Sequence, residues 1–387
     1  MAVKIVRRPN QIALLGAPTS AAALLPGHEQ APRAFRDAGL VDRLRSIGYE
    51  VFDHGDDPVQ LSAPDNDGPR ARNVSAVLKS LEILKPRVES AVKSGALPLI
   101  LGGDCSIALA VVAGLRRYYR SPSLIYVDRD ADLNTPATTP SGCVDGMVIS
   151  HLIGRGAAEL VRFWGEPPLV REPDLVLFGV DRLDPPEEEF LVRSPLRRYL
   201  ATDILRKGAA AAAKDALDRL HGARNEFVLH FDVDVIADFP ATNYPGERGL
   251  SLSQVQEVLE VFLAQKHLIA VEVTSYNPQK DTDASGANTI IDMLVRAFAV
   301  RAESLQASAA VAGGEPATAA VSGGDPRGEE KSVSESRDGH EAESESHAPA
   351  IAIGGTWSSD TLDEPSPDGE GEPEAPASAD EAEKNPS

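Results

Sequence analysis

Hydrophobic and polar positions define two kinds of segment that alternate along most of the chain. Short apolar runs rich in Val, Ile and Leu are typical of strands buried on both faces of a sheet. They are Gln11–Gly16, Leu97–Leu101, Ser123–Asp128, Asp174–Val180, Glu226–Asp232 and Leu268–Thr274. Between them, apolar residues recur at the spacing of a helix. The predicted helices are Arg72–Lys93, Ser106–Tyr118, Ala209–Leu220, Ser253–Gln265 and Thr289–Glu303.

This alternation of strands and helices predicts an α/β fold with a mostly parallel sheet. The chain has 387 residues, and a large α/β enzyme commonly uses about 300 residues in one domain. In such sheets, ligands bind just beyond the carboxyl ends of the strands. Residues with unusual chemistry at those strand ends are therefore the candidates for a functional site.

The composition changes at about residue 306. Beyond it Ala, Gly, Ser, Pro and Glu dominate, and too few apolar residues remain to offset the entropy cost of ordering the chain. Residues 303–387 contain 20 acidic and 4 basic residues, so they carry 16 of the 21 net negative charges. We predict a folded domain over residues 1–305 and a disordered, acidic, low-complexity tail over residues 306–387. The acidity also argues against nucleic acid as a partner.

Cysteine usage and hydropathy bear on the compartment. Two cysteines in the whole chain exclude a scaffold built from disulfides and suit a reducing compartment. The N-terminal segment lacks the apolar core of a signal peptide. No window approaches the roughly 18 uninterrupted apolar residues of a membrane helix. We therefore expect a cytoplasmic protein with no membrane partner.

Clusters of carboxylates follow two of the predicted strands. They are Asp128, Asp130 and Asp132 after the third strand, and Asp232 and Asp234 after the fifth. Alternate side chains of an extended chain share a face, so each set converges while Arg129 points away. A single Asp after a strand usually caps a helix or forms a turn. Two such sets on buried strands would repel without cations, which favours a site for hard divalent ions such as Mn²⁺ or Mg²⁺.

The order of the motifs resembles that of the arginase and agmatinase (ureohydrolase) family. The second predicted strand ends in GGDCS at residues 102–106, and the Asp128 and Asp232 motifs and Glu272 follow in the expected order. The similarity covers residues 11–303. It implies the arginase-deacetylase fold, a three-layer α/β/α sandwich with a mostly parallel sheet of eight strands, and it makes residues 1–305 an arginase-like catalytic domain.

The resemblance further implies a binuclear metal centre, most commonly of Mn²⁺. Its ligands would be Cys105, Asp128, Asp130, Asp132, Asp232 and Asp234. Asp128 and Asp232 would bridge the ions, with Asp132 and Cys105 on one ion and the remaining two carboxylates on the other. In the family, a metal-activated hydroxide attacks the carbon of a guanidinium group and urea is released.

The resemblance also assigns residues to the substrate, a small guanidino or amine-derived compound similar to arginine. Asp132 would hydrogen-bond the hydroxide and relay its proton. Glu272 would meet the guanidinium, whose planar fork matches a carboxylate. Asn134 and Ser141 would bind an amino acid's carboxylate, and Asp184 would recognise its amino group.

Three positions depart from the family pattern. Cys105 and Asp130 stand where the family has metal-binding histidines, and Asp145 stands where arginases have a proton-shuttling histidine. A thiolate is a softer ligand, which admits Zn²⁺, Fe²⁺ or Ni²⁺ beside Mn²⁺. Five aspartates and a thiolate would carry six negative charges against four positive charges from two divalent ions. An ordinary Asp titrates far below neutral pH, so Asp145 is a poor replacement for the shuttle. We expect metal binding to be retained and turnover to be weakened or redirected.

Three functional hypotheses follow. The first is a two-metal hydrolase of a guanidino compound in arginine metabolism. The second is a catalytically weak or silent protein of the same fold that acts as an interaction or regulatory subunit. The third is an amide hydrolase on this fold, against which Glu272 argues. The resemblance also suggests a homo-oligomer, either a trimer or a hexamer.

Three other residues near the motifs could contribute to the metal site. Cys143 could approach Cys105 as a redox partner or a sulfur ligand, but a small apolar residue in a loop is the simpler interpretation. His151 and His230 could replace the missing imidazoles. We interpret both as structural histidines outside the metal shell.

Overall fold

A parallel sheet of eight strands forms the centre of the protein. The computed structural model describes residues 5–64, 70–220 and 226–313, with side chains up to residue 310. Within these residues the strands are β1 (Gln11–Ala17), β2 (Glu50–Asp56), β3 (Leu97–Gly102), β4 (Ser123–Val127), β5 (Leu175–Val180), β6 (Arg197–Leu200), β7 (Phe227–Asp232) and β8 (Leu268–Thr274). Their order across the sheet is β2-β1-β3-β8-β7-β4-β5-β6, and every neighbouring pair is parallel.

The six predicted strands are confirmed as the six inner strands of this sheet. They are buried along almost their whole length, so each is an uninterrupted apolar run. The sequence did not predict the two edge strands. β2 reads EVFDHGD with a single buried residue, and β6 reads RRYL. An edge strand packs on the sheet through one side only and carries charged residues, so hydropathy does not identify it.

Helices cover both faces of the sheet. They are α1 (Ala31–Asp37), α2 (Leu40–Ser46), α3 (Val74–Ser94), α4 (Ile107–Leu115), α5 (Val148–Leu152), α6 (Ala158–Arg162), α7 (Pro185–Arg193), α8 (Ala201–Lys207), α9 (Ala209–Asp218), α10 (Leu252–Leu263) and α11 (Ser285–Gly313). One apolar core joins the sheet to α1, α2 and α8 to α11. A second core joins the opposite face to α3 to α7. The chain therefore has the predicted three-layer α/β/α architecture.

The last helix extends past the predicted domain boundary. α11 continues to Gly313, eight residues beyond the boundary placed after residue 305. Residues 314–387, where most of the predicted disordered tail falls, lie outside the described residues, so that interpretation remains a prediction. No helix in the described part of the chain is long and apolar enough to cross a membrane.

The strand order determines where the candidate residues meet. β3, β8, β7 and β4 are consecutive neighbours in the middle of the sheet. All are parallel, so the loops that follow them leave from the same edge. These are the loops that carry the GGDCS segment and both clusters of aspartates.

Candidate metal centre

The register of the central strands places the two aspartate clusters side by side. Val127, the last residue of β4, pairs with Phe231 of β7. Asp128, which follows β4, and Asp232, which ends β7, therefore lie at the same level of the sheet. Asp232 in turn pairs with Thr274 at the end of β8. Both carboxylates are almost fully buried.

A cavity of about 310 Å³ opens at this edge of the sheet. Ten of the eleven predicted site residues line it: Cys105, Asp128, Asp130, Asp132, Asn134, Ser141, Asp145, Asp184, Asp232 and Asp234. The exception is Glu272. Positions scattered over 130 residues of sequence are thus brought into one cavity.

Two groups of possible metal ligands share one residue. Cys105, Asp128, His230 and Asp232 form the first group, and Asp128, Asp130 and Asp234 form the second. In each group the ligand atoms lie within 4.8 Å of one another. Asp128 belongs to both, which is the arrangement that a pair of bridged divalent ions requires. Asp132 lies in neither group, although it lines the same cavity.

The first group depends on the tight loop after β3. A side chain at Gly103 would place its Cβ 1.7 Å from the carbonyl oxygen of Thr19, so only glycine fits. The buried carboxylate of Asp104 holds the loop by accepting hydrogen bonds from the backbone nitrogens of Ala22 at 3.0 Å and Ser106 at 3.1 Å. As a result, Cys105 Sγ reaches Asp232 and donates to its Oδ2 at 2.8 Å.

Both aspartate clusters form the same short turn. Asp128 Oδ1 accepts a hydrogen bond from Asp130 N at 2.7 Å, and Asp232 Oδ1 accepts one from Asp234 N at 2.8 Å. Each first aspartate thereby orients the second toward the cavity. Asp132 has a left-handed backbone, with φ of 50°, and its Oδ2 accepts a 2.5 Å hydrogen bond from Tyr126 Oη.

Two arginines that the sequence did not assign to the site lie against the second ligand group. The guanidinium of Arg182, two residues beyond β5, forms a two-pronged ion pair with both oxygens of Asp130. Arg129 is buried, and its Nη2 lies 3.7 Å from Asp234 Oδ2. The expectation that Arg129 points away from the carboxylates is therefore wrong, because its long side chain curves back under the loop at Gly246.

The electrostatics of the cavity fit divalent cations. Burial and the charges of neighbouring carboxylates raise the pKa of Asp128 and the pKa of Asp234 well above the ordinary value of an aspartate. Burial, followed by the charge of Asp232, likewise raises the pKa of the Cys105 thiol. Divalent ions would offset this accumulated charge and favour the ionised ligands. In the described part of the chain, Asp234 Oδ1 is also buried without a hydrogen-bond partner.

The predicted contact of Glu272 with a substrate does not agree with the structure. Glu272 pairs in register with His230, two residues before the level of Asp232, and it is fully buried. Its Oε1 lies 3.1 Å from His230 Nδ1. The residue of this segment that lines the cavity is Ser275, whose hydroxyl donates to Asp232 Oδ2. The sequence alone could not show this, because it does not give the register between β7 and β8.

His230 lies closer to the metal ligands than we expected. One of its ring nitrogens belongs to the first group, within 4.8 Å of the ligand atoms of Cys105, Asp128 and Asp232. However, Nδ1 contacts Glu272 and Nε2 lies 3.2 Å from Thr274 Oγ1. The ring stacks on Tyr126 with centroids 4.0 Å apart. With both nitrogens engaged, His230 supports the site from beneath.

The predicted substrate residues form one rim of the cavity. Asn134 Nδ2 donates to Asp184 Oδ2 at 2.8 Å. Asp184 begins α7 with a capping box in which Glu187 accepts from the backbone nitrogen of Asp184. Ser141 lies in the adjacent loop, where its Oγ accepts from Cys143 N at 3.1 Å. The rim therefore presents a carboxylate, an amide and a hydroxyl on fixed backbone.

Asp145 lies on the same side of the cavity as Cys105. Its Oδ1 accepts a hydrogen bond from Cys105 N at 2.8 Å. Burial, and then the charge of Asp104, raises the pKa of Asp145 well above its ordinary value. Cys143 lines the cavity and donates to the carbonyl of Ala22. His151 is buried in α5 and accepts from Ala157 N at 3.2 Å, consistent with a structural role.

Comparison with known proteins gives one consistent result. A sequence model described as the arginase family matches residues 10–299. The arginase of Bacillus subtilis is 30% identical over 285 residues, covering 73% of this chain and 96% of that protein. The arginase of Neurospora crassa is 32% identical over 291 residues, covering 71% of this chain and 80% of its own. The crystal structure of arginase from Bacillus cereus superposes with a TM-score of 0.69 at 29% identity, covering 75% of this chain and 98% of that one.

Proposed function

Because the chain belongs to the arginase family, we propose that it is a two-metal hydrolase that cleaves a C–N bond of a guanidino compound and releases urea. The observation that carries the proposal is the pair of ligand groups that share Asp128 at the floor of the cavity. Relatives of the family are hydrolases of linear C–N bonds that depend on two metal ions. The donor set of this chain has the composition that such a centre needs.

The proposed ligands divide between the two ions. Cys105, Asp128 and Asp232 would hold one ion, with Asp132 as a further ligand from the cavity wall. Asp128, Asp130 and Asp234 would hold the other. Bound ions supply a water molecule of lowered pKa and neutralise the carboxylates around it. Mn²⁺ suits the oxygen ligands, whereas the sulfur of Cys105 also admits Zn²⁺, Fe²⁺ or Ni²⁺.

Two carboxyl groups are placed to move protons. Asp132 faces the cavity, and the hydrogen bond from Tyr126 fixes its orientation, so we assign it the proton of the attacking water. Asp145 lines the same cavity, and the hydrogen bond that its Oδ1 accepts from Cys105 N fixes its orientation. We assign it the proton that the departing amine needs.

The rim of the cavity would recognise the other end of the substrate. Asp184 offers a carboxylate to an ammonium group, and Asn134 and Ser141 offer donors to a carboxylate. An α-amino acid head group carries both charges. This arrangement favours an arginine-like substrate over a simple guanidine.

An amide hydrolase remains a second candidate. Glu272 was the residue that favoured a guanidinium over an amide, and it is buried against His230. Ser275, which takes the place facing the cavity, is neutral. The loss of that carboxylate removes the charge argument against an amide substrate.

The test combines metal content with product analysis. The purified chain is stripped of metal, reloaded with Mn²⁺, Zn²⁺, Fe²⁺ or Ni²⁺, and analysed by elemental mass spectrometry. Each form is then assayed for urea and for released amine with guanidino acids, decarboxylated guanidines and acetylated amines. We expect two ions per chain and urea release from a guanidino acid.

The controls separate the hypotheses. Asp128→Asn removes the shared ligand, and Asp292→Asn changes an exposed aspartate of α11. Loss of a supporting residue typically costs about 10–100-fold in metal affinity or activity, so loss of the shared ligand should cost at least about 100-fold. Amine release from acetylated substrates without urea would favour the amide hydrolase. Two bound ions with no product from any substrate would favour the silent protein.

A further inference from the structure

Asp130 has two competing roles. It belongs to the second ligand group, in which its carboxylate oxygen lies within 4.8 Å of those of Asp128 and Asp234. It is also the partner of Arg182, whose Nε contacts Oδ1 and whose Nη2 contacts Oδ2. Both oxygens of Asp130 therefore face a guanidinium. A divalent ion in the second group needs at least one of them.

The two arginines beside this group differ in their freedom to move. The side chain of Arg182 is 54% exposed, and its guanidinium carbon lies 5.8 Å from the centre of the Tyr244 ring at the cavity wall. Arg129 is 5% exposed at its side chain, and its guanidinium lies against Gly246. Arg182 can therefore leave Asp130 for solvent, whereas Arg129 is held in place.

The formal charges of the proposed ligands explain why the guanidinium of Arg182 lies beside Asp130. The six proposed ligands carry six negative charges when ionised, because they are five aspartates and a thiolate. Two divalent ions supply four positive charges. Until the second ion binds, the guanidiniums of Arg129 and Arg182 lie against the second ligand group and offset two of the six negative charges. With only one ion bound, Asp130 would lack a cation of its own if Arg182 were absent.

We propose that Arg182 is an internal counter-cation that competes with a divalent ion for Asp130, so that the two halves of the centre fill in unequal steps. This inference rests on the proposed two-metal function. The first ion enters the half formed by Cys105, Asp128 and Asp232, which Arg182 does not contact. The Cys105 thiol releases its proton to solvent as the sulfur binds, and a thiophilic ion such as Co²⁺ or Zn²⁺ is favoured.

The second ion enters the half that holds only oxygen ligands. It must break the ion pair between Arg182 and Asp130, and the guanidinium then turns toward solvent. Hard ions such as Mn²⁺ or Mg²⁺ suit this half. The second step is therefore weaker than the first and selects a different kind of metal.

Metal titration of the full-length chain tests this inference without any substrate. Co²⁺ is added to metal-free protein, and the absorption of the cobalt–thiolate bond reports the first half. Calorimetry with Mn²⁺, after one equivalent of Co²⁺, reports the second. Arg182→Gln removes the competing charge. Arg248→Gln is the matched control, since Arg248 is an exposed arginine paired with Asp181, the neighbour of Arg182.

We expect Arg182→Gln to tighten the second step by about five- to ten-fold, the scale of a half-exposed two-pronged ion pair. The first step and its cobalt–thiolate band should not change. Arg248→Gln should behave like the unaltered chain. Cys105→Ser should abolish the band and leave the effect of Arg182→Gln on the second step intact.

Two results would overturn the inference: an unchanged second step in Arg182→Gln, or an equal tightening of both steps, which indicates a general field effect. If Arg182→Gln does not fold, Arg182→Lys replaces it, because a single ammonium cannot hold both oxygens and should give a smaller tightening. The proposed function fails separately. A chain that fills both halves as described and still cleaves no C–N bond would contradict the function and leave the inference standing.

Discussion

At the scale of single residues, the position of Glu272 shows the effect of a shift of two residues along a strand. Side chains of a strand alternate between its two faces, and neighbouring parallel strands match residue by residue. Glu272 matches His230, and Thr274 matches Asp232. The carboxylate therefore lies beneath the metal ligands, where it orients His230, and the hydroxyl of Ser275 reaches the cavity instead.

Replacement of Glu272 by Gln distinguishes these two positions. Gln keeps the shape and can still accept a hydrogen bond from His230, so kcat/KM should stay within about three-fold, while the free energy of unfolding falls by about 1–2 kcal/mol. Enzyme kinetics and urea denaturation measure the two quantities. A residue that binds a guanidinium would behave differently, losing at least about 100-fold in kcat/KM with little change in stability. That result would restore the original prediction.

At the scale of elements, the loop between β3 and α4 determines where Cys105 lies. Gly103 approaches the carbonyl of Thr19 so closely that a Cβ would lie 1.7 Å from its oxygen. Since the obstacle is backbone rather than a flexible side chain, the loop itself must move to admit a methyl group. Cys105 follows two residues later and would move with it.

We expect Gly103→Ala to cost about 1–3 kcal/mol of stability, the usual range for overpacking, and to weaken metal binding at the Cys105 half. Gly146→Ala is the matched control, because Gly146 lines the cavity and its Cβ would meet nothing within 4 Å. The cobalt–thiolate band and urea denaturation give the two readouts. Equal effects of the two substitutions would show that the close approach at Thr19 is not what positions Cys105.

His151 in helix α5 makes the stability of the domain depend on pH. Burial lowers the pKa of His151 to about 4, from its ordinary value of 6.5. A histidine whose folded pKa is depressed stabilises the fold fully above its unfolded pKa. That stability is lost as the pH falls from 6.5 toward 4, and the loss amounts to about 3 kcal/mol.

Variants of two histidines isolate this contribution. Between pH 7 and pH 4, His151→Gln should lose about 3 kcal/mol less stability than the unaltered chain does. His54→Gln, at an exposed position of β2, should lose as much as the unaltered chain. Urea denaturation at each pH measures the differences. Parallel curves for all three proteins would show that His151 is not buried in its neutral form.

At the scale of the whole molecule, the sequence predicted what depends on local pattern. The inner strands were readable because burial on both faces makes them continuous apolar runs, and the aspartates because they follow those runs directly. The edge strands β2 and β6 escaped because half of their surface is polar. Arg182 and Ser275 escaped for another reason: their places depend on which strands become neighbours and in which register, and sequence spacing carries neither.

The fold and the metal centre should also stabilise each other. The proposed ligands come from the ends of β3, β4 and β7, so only the folded sheet brings them together. An ion that binds the folded chain alone adds about 4 kcal/mol of stability at a concentration 1,000 times its dissociation constant. A chelator should remove that increment and lower Tm, and the gain should rise with the logarithm of ion concentration.

Because the two halves of the centre favour different ions, the rise in Tm should depend on which ion is added. Co²⁺ alone should raise Tm at low concentration through the Cys105 half, and Mn²⁺ added afterwards should raise it again only at higher concentration. In Arg182→Gln the second rise should begin at about five- to ten-fold less Mn²⁺, in step with its tighter binding. Scanning calorimetry at several ion concentrations measures both rises. A Tm that responds to neither ion would mean that the aspartates, although gathered by the sheet, hold no cation in the folded chain.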